Sequence, residues 1–149
     1  MDLEHAPVIG TVGPVADGRD IPFWDGLAEG RLLIQHCPGC GAWVWPTQWA
    51  CPECHRFDPV WEEVEPRGTV FSWTRTWQKF TPEFASLVPY ITVVVELDGA
   101  GGTRLLGLLL GNDELDPVLG EPVEGVFQAP SELTTGAGVL RWRRTGNPT

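Results

Sequence analysis

Residues 36–55, HCPGCGAWVWPTQWACPECH, hold all four cysteines of the chain, and their reading decides the fold. The cysteines form two C-x-x-C pairs, Cys37/Cys40 and Cys51/Cys54, with ten residues between the pairs. Each pair is a knuckle, CPGCG and CPEC. A tight turn of this kind points both sulfurs and several backbone N–H groups inward, so one pair chelates one ion. Proline after the first cysteine helps to set the turn, and Gly41 allows the positive φ that its end often needs. Two knuckles on facing hairpins complete a tetrahedral all-thiolate site, for which zinc is the usual occupant.

Three other chemistries use the same residues. A disulfide framework belongs to an oxidising compartment. A thioredoxin-like redox pair needs one C-x-x-C at a βα junction, not two knuckles joined by a short loop. A rubredoxin-type iron site has the same four ligands, so iron stays open behind zinc. A closed four-cysteine site leaves no coordination position for Lewis-acid catalysis, so the metal is expected to be structural. His36 and His55 flank the knuckles and are surplus to a full ligand set. They are expected to be exposed or to back the ligands. Trp43, Trp45 and Trp49 are expected to cover a ribbon that has almost no core of its own.

The chain has 149 residues and a formal charge of −10. That balance opposes nucleic-acid binding, because neutralising phosphate supplies most of such affinity. The charge is uneven, however. Residues 66–111 set Arg67, Arg75, Lys79 and Arg104 against only Glu83, Glu96 and Asp98, a local surplus that suits a phosphorylated small molecule. The first residues are acidic and unlike a secretion signal, and LLGLLLG is far too short to span a bilayer. The expected compartment is the cytosol, with no membrane partner.

The 18 glycines and 14 prolines favour short strands and turns over long helices. Residues 1–20 read as an irregular arm. DIPFWDGLAEGRL reads as a short helix, with Asp20 placed to cap it, Pro22 in its first turn and Gly30 at its end. RLLIQHC is a strand entering the first knuckle, and DPVWEEVE is a strand leaving the second. Pro66 and Gly68 mark a module boundary. Beyond it TVFSWTRTW, YITVVVEL, TRLLGLLLG, EPVEGVFQ and GVLRWRR form five candidate strands separated by turn residues. The expectation is a mainly β chain. An arm (1–20) leads to a helix and zinc ribbon (21–65), then to a five-stranded oligonucleotide/oligosaccharide-binding (OB) barrel with a C-terminal tail (66–149).

Strand alternation locates candidate contacts. Phe71, Trp73, Arg75 and Trp77 fall on one face of the first barrel strand, and Val70, Ser72, Thr74 and Thr76 on the other. An aromatic face that carries an arginine is awkward as pure core, because a buried guanidinium must be paired. It reads either as a binding face or as partly buried packing. Ile91, Val93, Val95 and Leu97 form a plainer core set. The connection QKFTPEFASLVPY is long, and Lys79, Phe80 and Phe84 make it an apolar lip or a barrel cap.

With these motifs in order, PFWDGLAEGRLLIQHCPGCG, WPTQWACPEC, Trp61, GTVFSWT, PYITVVVELD and LGLLLG, the chain resembles a known family over about residues 21–130. This is the family of small acyl-CoA-associated proteins that join a rubredoxin-like zinc ribbon to an OB-fold, long catalogued as a domain of unknown function. Trp45-Pro46-Thr47 departs from the Pro-Pro-Arg often found between the knuckles of that family, so no role of that arginine carries over. The resemblance implies a non-catalytic accessory subunit of a thiolase-fold enzyme, such as a sterol-carrier-type thiolase or a steroid side-chain aldolase. Such a subunit docks on its partner and helps to shape the acyl-CoA channel. In that setting Trp73, Arg75, Trp77, Lys79, Phe80 and Phe84 border the acyl or pantetheine path, with Arg75, Lys79 and Arg104 facing CoA phosphates. The residues agree on one point: every cysteine is claimed by metal, and no histidine sits in an acid–base constellation, so catalysis falls to another chain. Two competing readings are an OB module that stacks single-stranded nucleic acid on its aromatics, and a rubredoxin-like electron carrier.

Overall fold

In the computed structural model, which describes residues 5–8, 12–111 and 114–146, the chain begins its regular structure at helix α1 (Ile21–Ala28). Pro22 occupies the first turn, where its missing N–H costs nothing, and Gly30 follows the end at φ +75°. Asp20 stands at the N-cap but does not cap through its side chain. Its carboxylate instead accepts from the Val15 N–H at 2.8 Å and from Trp24 Nε1 at 3.1 Å, because the preceding turn brings a competing donor into reach.

Strands β1 (Leu32–His36), β2 (Trp43–Val44) and β3 (Val60–Val64) form an antiparallel sheet in the order β2-β1-β3. The two-residue β2, between the knuckles, is too short to register as a hydrophobic pattern in the sequence. All five expected barrel strands are present: β4 (Arg67–Thr76), β5 (Tyr90–Leu97), β6 (Arg104–Leu108), β7 (Pro122–Gln128) and β8 (Val139–Arg144), in the order β6-β5-β4-β7-β8. The sheet curls until its ends meet. Leu109 and Trp142 form a parallel bridge, and the Leu110 N–H donates to the Trp142 carbonyl at 2.7 Å. This is the strand order of an OB barrel.

One core runs through both sheets. Ile91, Val93, Val95 and Leu97 point into the barrel as their alternation requires, beside Val70 and Trp142. Leu32, Ile34 and Val64 from the ribbon sheet and Phe23 and Leu27 from α1 join the same cluster. The helix thus plugs the space between ribbon and barrel. Gly138 lets it approach: a Cβ there would lie 2.5 Å from the Leu27 carbonyl carbon.

The expected face of β4 needs correction. A β-bulge between Val70 and Ser72 inserts Phe71 as an extra residue, which resets the alternation. Val70 and Trp73 turn to the core, whereas Phe71 is exposed, so Phe71 does not share the face of Trp73, Arg75 and Trp77. The expected irregular arm at 1–20 is described only at residues 5–8 and 12–20, and residues 147–149 of the tail also lie outside the described residues. Among the described residues no helix is long and apolar enough to cross a membrane.

Candidate metal centre and aromatic strand

The turns after β1 and after residue 50 bring the four cysteines together. Cys37, Cys40, Cys51 and Cys54 place their sulfurs within 4.8 Å of one another. Two sulfur pairs approach across the knuckles, 3.5 Å for Cys37–Cys54 and 3.6 Å for Cys40–Cys51. A disulfide needs about 2.05 Å, so this is not a disulfide framework. A tetrahedral ion with metal–sulfur bonds of about 2.3 Å sets its sulfurs about 3.8 Å apart, and the cluster fits that spacing. Cys37 and Cys51 are buried and Cys40 and Cys54 exposed, so the cluster lies half under the ribbon surface.

The knuckle backbone prepares the site. The Gly41 N–H donates to the Cys37 carbonyl at 2.9 Å, and the His55 N–H to the Cys51 carbonyl at 2.8 Å, repeating one turn in both halves. Gly41 takes φ +78° and His55 φ +66°, the corresponding turn end in each knuckle. The Cys40 N–H points at the Cys37 sulfur, and with the Gly39 N–H it outweighs burial and lowers that thiol to about 6. At Cys40 the Ala42 N–H acts in the same direction, but burial and the three neighbouring sulfurs win and push the thiol up to about 12. Crowding of sulfurs in one cluster opposes the ionised form, and a cation among them would favour it.

His36 backs the first knuckle, as expected. Its Nε2 lies 2.9 Å from the Gly41 carbonyl, its Nδ1 lies 3.1 Å from Glu62, and its ring stacks on Trp43 at 4.4 Å. Arg56 packs beside Gly39 and pairs with Asp58 at 2.7 Å, placing a cation next to the thiolates. The tryptophans do more than cover the ribbon. Trp43 lies against Gly101 of the β5–β6 turn, and Trp45 packs on Phe23 at 4.9 Å and on the main core. Both therefore join ribbon to barrel, whereas Trp49 stays exposed and donates to Asp17.

On β4, Trp73 is half-buried against the main core and Trp77 is 70% exposed. The Arg75 guanidinium lies between them, 5.5 Å from the Trp73 ring centre and 6.0 Å from that of Trp77. It is ion-paired with Asp116 at 2.5 Å, a partner 41 residues away that strand alternation could not reveal. Arg104 stacks on Phe71 at 3.6 Å and pairs with Glu96 at 3.2 Å. Lys79 is exposed and Phe80 is 75% exposed, beside Trp77 in the chain. Phe84 is 6% exposed and packs with Leu87, Tyr90 and Leu108, so it caps the barrel and forms no lip. The sequence reading missed a cavity of about 460 Å³ bounded by α1, Trp45, Thr47 and β6, with Phe23, Leu27 and Leu105 in its walls. Its walls come from the arm, α1, residues 45–47, β6 and β8, so no local motif announces it.

Known proteins share this arrangement. The profile of the ChsH2 rubredoxin-like zinc ribbon domain matches residues 24–60, and that of the ChsH2 C-terminal OB-fold domain matches residues 61–128. A probable enoyl-CoA hydratase alpha subunit of Thermomonospora curvata is 35% identical over 121 residues, 80% of this chain. The chain spans 37% of the length of that relative. A DUF35 domain-containing scaffold protein of Methanothermobacter thermautotrophicus is 30% identical over 103 residues, 68% of this chain and 75% of its own length. Among solved structures, a chain of an Ltp2-ChsH2(DUF35) aldolase superposes with a TM-score of 0.77 at 26% identity, covering 90% of this chain and all of that one. A DUF35 protein of unknown function from Sulfolobus solfataricus shares the fold, with a TM-score of 0.55 at 18% identity over 83% of this chain and 82% of its own. The paired knuckles, the curled five-stranded sheet and these matches together make the chain a member of the DUF35 family, of the ChsH2 zinc-ribbon and OB-fold type.

Proposed function

We propose that this chain is a non-catalytic accessory subunit that docks on a thiolase-fold acyl-CoA aldolase or thiolase and helps to form its acyl-CoA channel. The observation that carries this reading is the superposition, over its full length, of a chain from an Ltp2-ChsH2(DUF35) aldolase. The residues support it. All four cysteines lie in one cluster, which leaves no thiol for a thiolase nucleophile. Trp77, Phe80, Val118 and Leu119 are largely exposed, apolar surface of the sort that partners bury. In this reading zinc fills the four-cysteine cluster and holds the ribbon in shape, with residues 21–65 and 66–149 as two modules preceded by the arm. Trp73, Trp77, Lys79 and Phe80 border the acyl-CoA path. Arg75 sets the tryptophan pair, and Phe84 supports the loop from beneath. The setting is cytoplasmic lipid metabolism, with a bulky acyl group such as a steroid side chain.

The test is co-purification of the tagged chain from its native host, with identification of stoichiometric partners and metal analysis of the same sample. A thiolase-fold protein at equal stoichiometry with one zinc per chain is expected. A monomer without such a partner overturns the reading. In that case a red, iron-loaded sample points to an electron carrier, and salt-sensitive retention of single-stranded DNA points to a stacking module.

A further inference from the structure

The N-terminal arm makes contacts that neither the cysteine cluster nor the aromatic strand uses. Ala6 is 1% exposed and sits in an apolar cluster with Phe84, Leu87, Tyr90 and Leu108, apart from the main core. Its carbonyl accepts from two buried donors, Arg141 Nη2 at 3.0 Å and Gln128 Nε2 at 3.0 Å. Arg141 Nε also donates to Gln128 Oε1 at 3.0 Å, so the three groups close a small ring of hydrogen bonds. Two residues further on, the Val8 N–H donates to the Leu133 carbonyl at 3.0 Å, and the Val12 N–H reaches Thr135 Oγ1 at 3.3 Å.

The arm therefore holds two separate connections at one end of the barrel. The β4–β5 connection carries Phe84 and Leu87, and the β7–β8 connection carries Leu133 and Thr135. In an OB barrel the connections between strands one and two and between strands four and five flank the ligand face. The β4–β5 and β7–β8 connections are those two here. Arg141 explains why the arm stays. It is 6% exposed, and among the described residues it has no ion pair; its acceptors are two neutral oxygens. A buried guanidinium that loses an acceptor is strongly disfavoured, so unseating Ala6 leaves a charge half-satisfied in an apolar surround.

We propose that residues 5–8 are an internal strap that closes the barrel mouth and locks the 78–90 and 129–138 connections together, with Arg141 as the positioning residue that seats it. The chain's own backbone thus contacts both of the connections that flank the ligand face in barrels of this fold. The 78–90 connection, which displays Phe80 just after the exposed Trp77, is thereby held from beneath.

Hydrogen exchange by mass spectrometry on the intact metal-loaded chain tests it, comparing wild type with Arg141→Met, Arg141→Lys and Val8→Pro. Val8→Pro deletes one backbone donor at a half-buried position, which keeps the test independent of whether Arg141→Met folds. Exchange in residues 84–89 and 131–136 is expected to rise about tenfold or more in Arg141→Met and Val8→Pro, with β4, β5 and the ribbon unchanged. Arg141→Lys, which keeps the charge and a donor, is expected to recover part of the protection. Unchanged exchange in both connections overturns the strap. A uniform rise across all strands also overturns it, because it shows Arg141 acting only as a general core residue.

Discussion

A methyl group at residue 138 probes how helix α1 seats on the barrel. Gly138 is buried just before β8, and an added Cβ would lie 2.5 Å from the Leu27 carbonyl carbon and 2.7 Å from Ala28 Cα. Carbon atoms prefer about 3.5–4.0 Å, so the backbones must part by about 1 Å. The helix cannot yield freely, because Phe23 and Leu27 are locked in the main core. Nor can the strand, because Val139 and Leu140 are paired with Gln128 and Phe127. Overpacking costs about 1–3 kcal/mol, and backbone on both sides puts this site near the upper end. The lower entropy of the unfolded Ala chain returns about 0.4–1 kcal/mol, which leaves Gly138→Ala destabilised by about 2 kcal/mol. At about 2–4 °C per kcal/mol for a chain of this size, Tm falls by about 4–8 °C. Gly99→Ala is the control, since nothing lies within 4 Å of its Cβ and its φ is ordinary; it is expected to match or slightly exceed wild type. Calorimetry and near-ultraviolet circular dichroism on metal-loaded protein read the shifts. A Gly138→Ala midpoint within about 1 °C of wild type refutes the seating of α1 on residue 138.

Removing the metal is expected to melt the ribbon first. Cys51→Ser should abolish stoichiometric metal and release amide protection in residues 36–56, since structural zinc contributes about 10 kcal/mol or more in small ribbons; retained metal and protection would count against a single four-cysteine site. Phe84→Ala should cost about 3–5 kcal/mol in denaturant unfolding, whereas Phe80→Ala should stay within about 0.5 kcal/mol, because one ring is buried and the other 75% exposed; equal costs would contradict the barrel-cap placement. The Asp17 carboxyl is held below its usual 3.8 by the Arg19 backbone N–H first, with burial opposing and the Arg19 and Trp49 side chains adding to the shift. With the folded pKa lowered, its contribution to stability is complete above the unfolded value and lost as pH falls through the folded one. A carboxyl carbon titration of Asp17 by NMR should show a midpoint below 3.8, and a midpoint at or above it would contradict the contact with Arg19.

Much of this protein is legible in local spacing. Two C-x-x-C knuckles ten residues apart specify a four-sulfur cluster, because each turn orients its own sulfurs whatever surrounds it. Alternation in YITVVVEL marks Ile91, Val93, Val95 and Leu97 as core, and turn residues separate all five barrel strands. The same method misassigned Phe71, because a bulge adds one residue without leaving a signature in the pattern. It left Arg75 open between binding and packing, since the Asp116 that pairs with it arrives from 41 residues away. The side-chain cap it expects from Asp20 is absent, because the Val15 N–H and Trp24 Nε1 take the carboxylate.

The sequence by itself determined the order of the modules, the gathering of the four cysteines and the inward face of β5. Those follow from backbone geometry within a few residues, which no distant contact alters. Only the tertiary structure decided what joins them. Trp43 against Gly101, Trp45 against Phe23, α1 against Gly138 and Ala6 beneath Arg141 are pairs whose members lie far apart in the chain. Their partners are chosen by how the sheet curls and closes at Leu109 and Trp142, and that closure is a property of the whole barrel.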